Sequence, residues 1–221
     1  MALECIVFDC DGIILESVPI KTLAFERISA PFGEEARDRM LMYHRLHGGV
    51  SRIRKFEWFY REVLGREITR QELQDALRRF EEIAFEEVLN CPLVPGVQEV
   101  LSAWQGRVPL YVCSGAPHEE LTFILQKRGL ATFFVEICGT PPAKDELLRA
   151  IVRKSGADAA ATVMVGDSPT DLYAAESAGT LFYGRGEEMR GGNYPWGEDL
   201  TGLNYWLEQQ WATTDQGLVR K

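Results

Sequence analysis

Five short apolar runs, Cys5–Phe8, Leu110–Cys113, Phe133–Ile137, Val163–Val165 and Leu181–Tyr183, punctuate the chain. Each has the length of a buried strand, and the later ones are separated by stretches with helical period. Residues 118–128 put Leu121, Ile124 and Leu125 on one face and stop at Gly129; residues 145–154 repeat the arrangement with Leu147, Leu148, Ile151 and Val152. Strands alternating with helices imply a parallel sheet covered on both sides, so the expected fold class is α/β with a Rossmann-like core.

Residues 18 to about 90 have a different texture, charge-rich and helical in spacing throughout. Ser51 is placed to cap a helix carrying Ile53, Phe56, Tyr60, Val63 and Leu64. Thr69-Arg70-Gln71-Glu72 reads as a capping box, and Leu73, Ala76, Leu77, Phe80 and Ala84 follow at helical intervals. The expected organisation is a core domain from 1–16 and 92–211, an all-helical domain inserted at 17–91, and a polar tail at 212–221. Pro92 and Pro95-Gly96 mark the return to the core, and Leu203, Trp206 and Leu207 define a final helix.

Composition narrows the partners. With 46% hydrophobic residues in 221, the chain can bury a substantial core. A net charge of −9 argues against nucleic acid or an anionic membrane surface, so a small molecule is expected. There is no run of membrane-spanning length, and the N-terminus enters a strand without a leader-like segment, giving a cytoplasmic expectation for a monomer or homodimer. Five scattered cysteines with no C-x-x-C pair suggest buried thiols rather than disulfides or zinc. Cys10 lies between two aspartates, whose field suppresses a reactive thiolate.

Ligands of open parallel sheets bind beyond the carboxyl ends of the strands. Asp9 and Asp11 follow the first run, Ser114-Gly115 the second, and Gly166-Asp167-Ser168-Pro169-Thr170-Asp171 the fourth, while Lys144 precedes the helix at 145–154. Taken singly, an Asp or Ser here is a turn former or a helix cap, and Lys144 a solvated lysine. Together they bring four carboxylates to one edge, and like charges 4 Å apart repel by roughly 4 kcal/mol at an effective dielectric of about 20. A hard divalent cation, Mg²⁺, suits such oxygen donors. His44, His47 and His118 are not spaced as a zinc chelate.

These segments, Asp9-Cys10-Asp11-Gly12, Ser114, Lys144 and Gly166-Asp167-x-x-x-Asp171, resemble the four ordered motifs of the haloacid dehalogenase superfamily over roughly residues 4–184, and the helical insert resembles that family's cap. The resemblance implies a phosphatase acting on a small phosphorylated metabolite. Asp9 would be the nucleophile that becomes an aspartyl phosphate and Asp11 the general acid and base. Ser114, Gly115 and Lys144 would hold the phosphoryl oxygens. Asp9, Asp167, Asp171 and the main-chain carbonyl of Asp11 would surround Mg²⁺. In extended backbone Asp9 and Asp11 project to one side, which suits attack by one and proton transfer by the other. A phosphomutase of the beta-phosphoglucomutase type would carry the same motifs, and a non-catalytic phosphate-binding or regulatory protein could use the scaffold, although both Asp9 and Asp11 are present. A dehalogenase would not need the three further carboxylates.

Within the insert, His47-Gly48-Gly49-Val50-Ser51-Arg52 joins a glycine pair to a helix start and a cation. It reads either as a loop that contacts an anionic substrate through Arg52, or as a plain helix–loop–helix turn with an exposed arginine. Arg45, His47 and Glu16 are lesser candidates. The stretch from Gly184 to Gly197, rich in glycine and aromatics, is expected to be an ordered surface loop.

Overall fold

A computed structural model describes residues 2–212. Its centre is a parallel six-stranded sheet of order β3-β2-β1-β4-β5-β6. The strands are β1 (Cys5–Phe8), β2 (Leu110–Pro117), β3 (Glu136–Thr140), β4 (Thr162–Gly166), β5 (Leu181–Arg185) and β6 (Trp196–Gly197). β3 starts three residues later than the apolar run suggests, because Ala131–Phe133 forms a 3₁₀ turn that delivers the chain to the sheet edge. The Gly184–Gly197 stretch lies largely on the surface as expected, with Glu187, Glu188 and residues 190–193 exposed, and its end returns as the short edge strand β6 paired with β5.

Two-residue alternation divides the sheet between two cores. Ile6, Phe8, Leu110, Val112, Val163 and Val165 face one side, with Val97, Leu101, Leu121, Leu125, Leu203 and Leu207 above them. Cys5, Val7, Tyr111, Cys113 and Met164 face the other, against Leu147, Leu148, Ile151, Ala174 and Ala175. β1 is buried on both faces, which explains its unbroken apolar run.

Between β1 and β2 the chain forms the helices α1 (Val18–Ser29), α2 (Glu34–Leu46), α3 (Arg52–Trp58) and α4 (Arg70–Asn90), then α5 (Val97–Trp104) back on the sheet. α4 begins with the expected capping box of Thr69 and Glu72, and Ser51 caps α3 by accepting from Arg54 N. The outgoing and returning segments pair: Leu15 bridges Leu93 antiparallel, Glu16 N donates to Pro92 O and Val94 N to Ile14 O. α6 (His118–Lys127), α7 (Lys144–Ser155) and α8 (Pro169–Ala178) connect the later strands, and α9 (Leu203–Ala212) ends the described chain. The expected tail lies outside the described residues from 213 onward. No described helix is long and apolar enough to cross a membrane.

Candidate active site

β1 stops at Phe8 and hands the chain to Asp9, whose N–H still bonds Val165 O across the sheet. The chain then turns sharply at Gly12, with φ +76°, where a Cβ would collide with Asp167 Oδ2. Glycine is therefore required both by the backbone and by the neighbouring carboxylate. β4 delivers Asp167, and α8 opens with a second capping box: Asp171 Oδ2 accepts from Ser168 N at 3.1 Å and Ser168 Oγ at 2.6 Å. Lys144 is the first residue of α7. Its Nζ lies 2.6 Å from Asp171 Oδ1 and 2.9 Å from Asp9 Oδ1.

Asp9, Asp167 and Asp171 each turn one carboxylate oxygen into a space where these atoms lie within 4.8 Å of one another. Lys144 is the single cation among them, and its contact with Asp9 Oδ1 is an ion pair out of line for a hydrogen bond, so that buried oxygen lacks a donor. Asp167 makes no hydrogen bond or ion pair with the described residues. Electrostatics records the surplus of negative charge. Burial, only partly offset by Lys144 and reinforced by Asp171 and Asp11, pushes Asp9 up to about 7. Burial together with Asp9 and Asp171 holds Asp167 well above the usual carboxylate range. Lys144 itself is buried, but Asp171 and Asp9 outweigh that cost and keep it firmly protonated. Unfilled oxygen lone pairs facing one another in a negative pocket fit a hard divalent cation.

Asp11 sits apart from that cluster. Its Oδ2 takes Lys21 Nζ at 2.5 Å and its Oδ1 takes Ser17 Oγ at 2.6 Å. Burial raises its carboxyl, yet Lys21 and Ser17 prevail and hold it below the ordinary value. Ser114 is fully buried behind Gly115, its Oγ accepting from Ala116 N at 3.1 Å. Cys10 is buried beside Asp11 and Asp9, and its thiol is pushed far up, as its position between carboxylates implied.

A cavity of about 530 Å³ opens from these groups toward the helices, lined by Asp9, Asp11, Asp167 and Gly115 below and by residues of α1 to α4 above. The loop at 47–50 closes directly on the sheet edge: a Cβ on Gly115 would collide with the Gly49 carbonyl, and one on Gly49 would fall 2.8 Å from Lys144 Nζ. The glycine pair thus serves close approach rather than flexibility. Arg52 lines the cavity, with one guanidinium nitrogen 2.5 Å from Glu120 Oε2 on α6. Glu16 is bound by Arg185 at 2.7 Å, and the same guanidinium donates to Gly12 O at 3.0 Å, fixing the turn after Asp11 from the end of β5.

Several of these participants carry no sequence signal. Lys21 shows itself only by standing four residues after Ser17 at a helix start, and Glu120, Arg185 and the cavity-lining Lys55 and His44 look like ordinary helix or strand-end residues until the fold assembles.

Residues 3–179 match the family of haloacid dehalogenase-like hydrolases. A phosphoglycolate phosphatase of Rhodospirillum rubrum is 29% identical over 191 residues, spanning 80% of this chain and 76% of that protein. One from Vibrio vulnificus is 26% identical over 199 residues, spanning 82% and 83%. Among solved structures, a beta-phosphoglucomutase from Clostridium difficile superimposes with TM-score 0.77 at 15% identity over the full length of both chains. CbbY from Rhodobacter sphaeroides, crystallised with phosphate, does so with TM-score 0.72 at 17% identity over 91% of this chain and 96% of that one. At such identities these two structures speak for the fold alone.

Proposed function

Because the chain belongs to the haloacid dehalogenase-like hydrolase family, we propose that it is a Mg²⁺-dependent phosphatase that hydrolyses a small phosphorylated metabolite through a covalent phospho-aspartate. The observation that carries this reading is the single ammonium of Lys144 held between Asp9 and Asp171, with Asp167 facing them unpartnered at the floor of the cavity. A carboxylate can approach a phosphate dianion only where positive charge screens it.

In the proposed reaction an Asp9 oxygen attacks phosphorus, the bond to the leaving oxygen breaks, and Asp11, whose carboxyl the incoming phosphate's negative charge raises from the low value that Lys21 and Ser17 impose, supplies the proton that the leaving oxygen needs. Water then attacks the phosphorus of the aspartyl phosphate, Asp11 takes its proton, and the bond to Asp9 breaks to release phosphate. Lys144 and Ser114 hold the phosphoryl oxygens, with the Gly115 backbone beside them. Asp9, Asp167, Asp171 and the Asp11 carbonyl would hold Mg²⁺, which when bound would neutralise the carboxylates and stabilise charge on the transferring group. Lys21, which grips Asp11, belongs to α1, so the acid–base residue is held from the helical side. Arg52 is retained as a substrate contact through the donors that Glu120 leaves free.

The same proposal divides the chain into a catalytic body, 1–16 and 92–211, and a cap, 17–91, that covers the site and selects the leaving group. The paired segments around Leu15 and Leu93 support that boundary. A screen of phosphorylated metabolites for phosphate release, with Mg²⁺ and then with chelator, tests it; metal-dependent release from at least one ester is expected, and silence across the screen would overturn it. Phosphorus NMR of the products separates hydrolysis from transfer to another hydroxyl.

A further inference from the structure

The turn that follows Asp11 is held from a strand that does not touch β1. Gly12, without a Cβ and at φ +76°, has the widest backbone freedom in the segment. Its N–H donates to Leu15 O at 2.8 Å, which closes the loop on itself and leaves open how the loop is oriented on the sheet. Arg185 supplies the missing constraint from the end of β5, with β4 standing between it and β1. Its Nη1 donates to Gly12 O at 3.0 Å and Glu16 Oε2 at 3.2 Å, its Nη2 to Glu16 Oε1 at 2.7 Å, and its Nε to Glu198 O at 3.1 Å.

A planar guanidinium can grip a carboxylate with two nitrogens and still reach a carbonyl, which an ammonium cannot do. Glu16 is itself anchored, its N–H donating to Pro92 O at 3.0 Å, so the clamp joins the turn, the outgoing connection and the returning one. Arg185 does not line the cavity. What it fixes is the peptide next to the reacting groups: the Gly12 carbonyl follows directly on that of Asp11, and the Gly12 Cα packs so closely on Asp167 that a Cβ would strike its carboxylate. Any swing of Gly12 therefore moves the Asp11 backbone and changes the room left for Asp167. The returning connection has a clamp of its own. Arg128, at the end of α6, donates to Leu89 O at 3.0 Å and Cys91 O at 2.7 Å, away from the acidic cluster.

We propose that Arg185 is a positioning residue for the acidic site: by pinning Gly12 it sets the Asp11 carbonyl toward the cation and the Asp11 carboxyl toward the leaving oxygen. The proposal rests on the reading of the site as a Mg²⁺-dependent phosphatase and adds to it a residue outside the cavity. Arg185 touches neither phosphate nor metal and acts through the backbone alone.

Calorimetric titration of Mg²⁺ into the substrate-free protein reads the clamp without turnover, and phosphate release from para-nitrophenyl phosphate reads it with turnover. Arg185→Met should weaken Mg²⁺ binding by about tenfold or more and lower kcat by about 10²-fold, with KM within about threefold. Arg128→Met, which loses a comparable clamp on the other connection, should keep wild-type Mg²⁺ affinity and kcat while its urea midpoint falls. Unchanged Mg²⁺ affinity and kcat in a folded Arg185→Met overturn the proposal, as does a rise in KM alone. Equal losses in Arg128→Met overturn it too, since they would report a general loosening. Should Arg185→Met not fold, Glu16→Gln decides: the same two quantities should fall by about threefold to tenfold, and no change in either overturns the role. A wild-type protein that binds Mg²⁺ through this clamp but releases no phosphate would sink the phosphatase reading alone. Metal-dependent release that Arg185→Met leaves intact would sink the Arg185 role alone, and a wild type that binds no Mg²⁺ would overturn both.

Discussion

The floor and the roof of the cavity solve opposite electrostatic problems. The floor gathers Asp9, Asp167 and Asp171 around one lysine and is short of positive charge. The roof buries Lys55 against neutral acceptors and is short of negative charge. Each deficit is what an incoming group would supply, a divalent cation below and an anion above. The floor stands on strand ends and helix starts, which fix backbone direction, whereas the roof stands on helix faces that meet only through packing. The positions proposed for bond-making thus lie at the edge of the sheet, and those proposed for contacting the rest of a substrate lie on the helices between β1 and β2.

Replacing the proposed nucleophile should separate the two regions most sharply. Asp9→Asn is expected to reduce phosphate release by at least about 10⁴-fold while the fold and the cavity stay intact, as an unchanged urea midpoint in Mg²⁺ would read; near-normal turnover would refute the assignment. Lys144→Met leaves Asp9 and Asp171 buried without their cation, so a loss of about 3–5 kcal/mol in urea denaturation is expected in metal-free buffer.

Saturation of the floor should itself be measurable. Mg²⁺ at a hundred times its dissociation constant should add about 2.7 kcal/mol to unfolding, and Asp167→Asn should remove most of that increment. If both proteins respond equally, the ion binds elsewhere.

The roof predicts a pH dependence with a definite sign. Lys55 is held at about 7 in the folded protein against an ordinary 10.5, so between these values the unfolded chain carries the extra proton. Stability of the wild type relative to Lys55→Met should therefore rise with pH above about 7, by about 1.4 kcal/mol per unit at most, and flatten below it. Paired urea titrations at neutral and alkaline pH check this, and a flat difference would show that Lys55 stays charged. The smallest effect is expected where floor and roof touch: Glu120→Gln should raise KM about threefold to tenfold with little change in kcat, since a part-buried pair contributes about 1 kcal/mol. An equal fall in kcat would instead tie the Arg52 contact to the chemistry.

Much of the floor is legible in the order of the residues alone. β1 appears at Cys5–Phe8 as its composition predicts, and the capping box at Thr69–Glu72 and the helix after Lys144 fall where their signals stand. The start of β3 is not, because Phe133 and Phe134 look like strand residues, yet Phe133 closes a 3₁₀ turn and the ladder with β2 begins at Glu136. The glycines at 48 and 49 read as loop flexibility, while the fold uses their missing Cβ atoms to let backbone touch Lys144 and Ser168.

What the sequence determined by itself was the alternation of strands and helices and the carboxylates, serine and lysine that end them, because period, caps and turns are local properties of neighbouring residues. Only the tertiary structure decided that Lys21 holds Asp11, that Arg52 meets Glu120 and that Lys55 is buried without a counter-charge. A lysine on a helix carries the same local pattern whether it faces water or a cavity. Which of the two it meets, and so what its charge costs, is set by the elements packed against it.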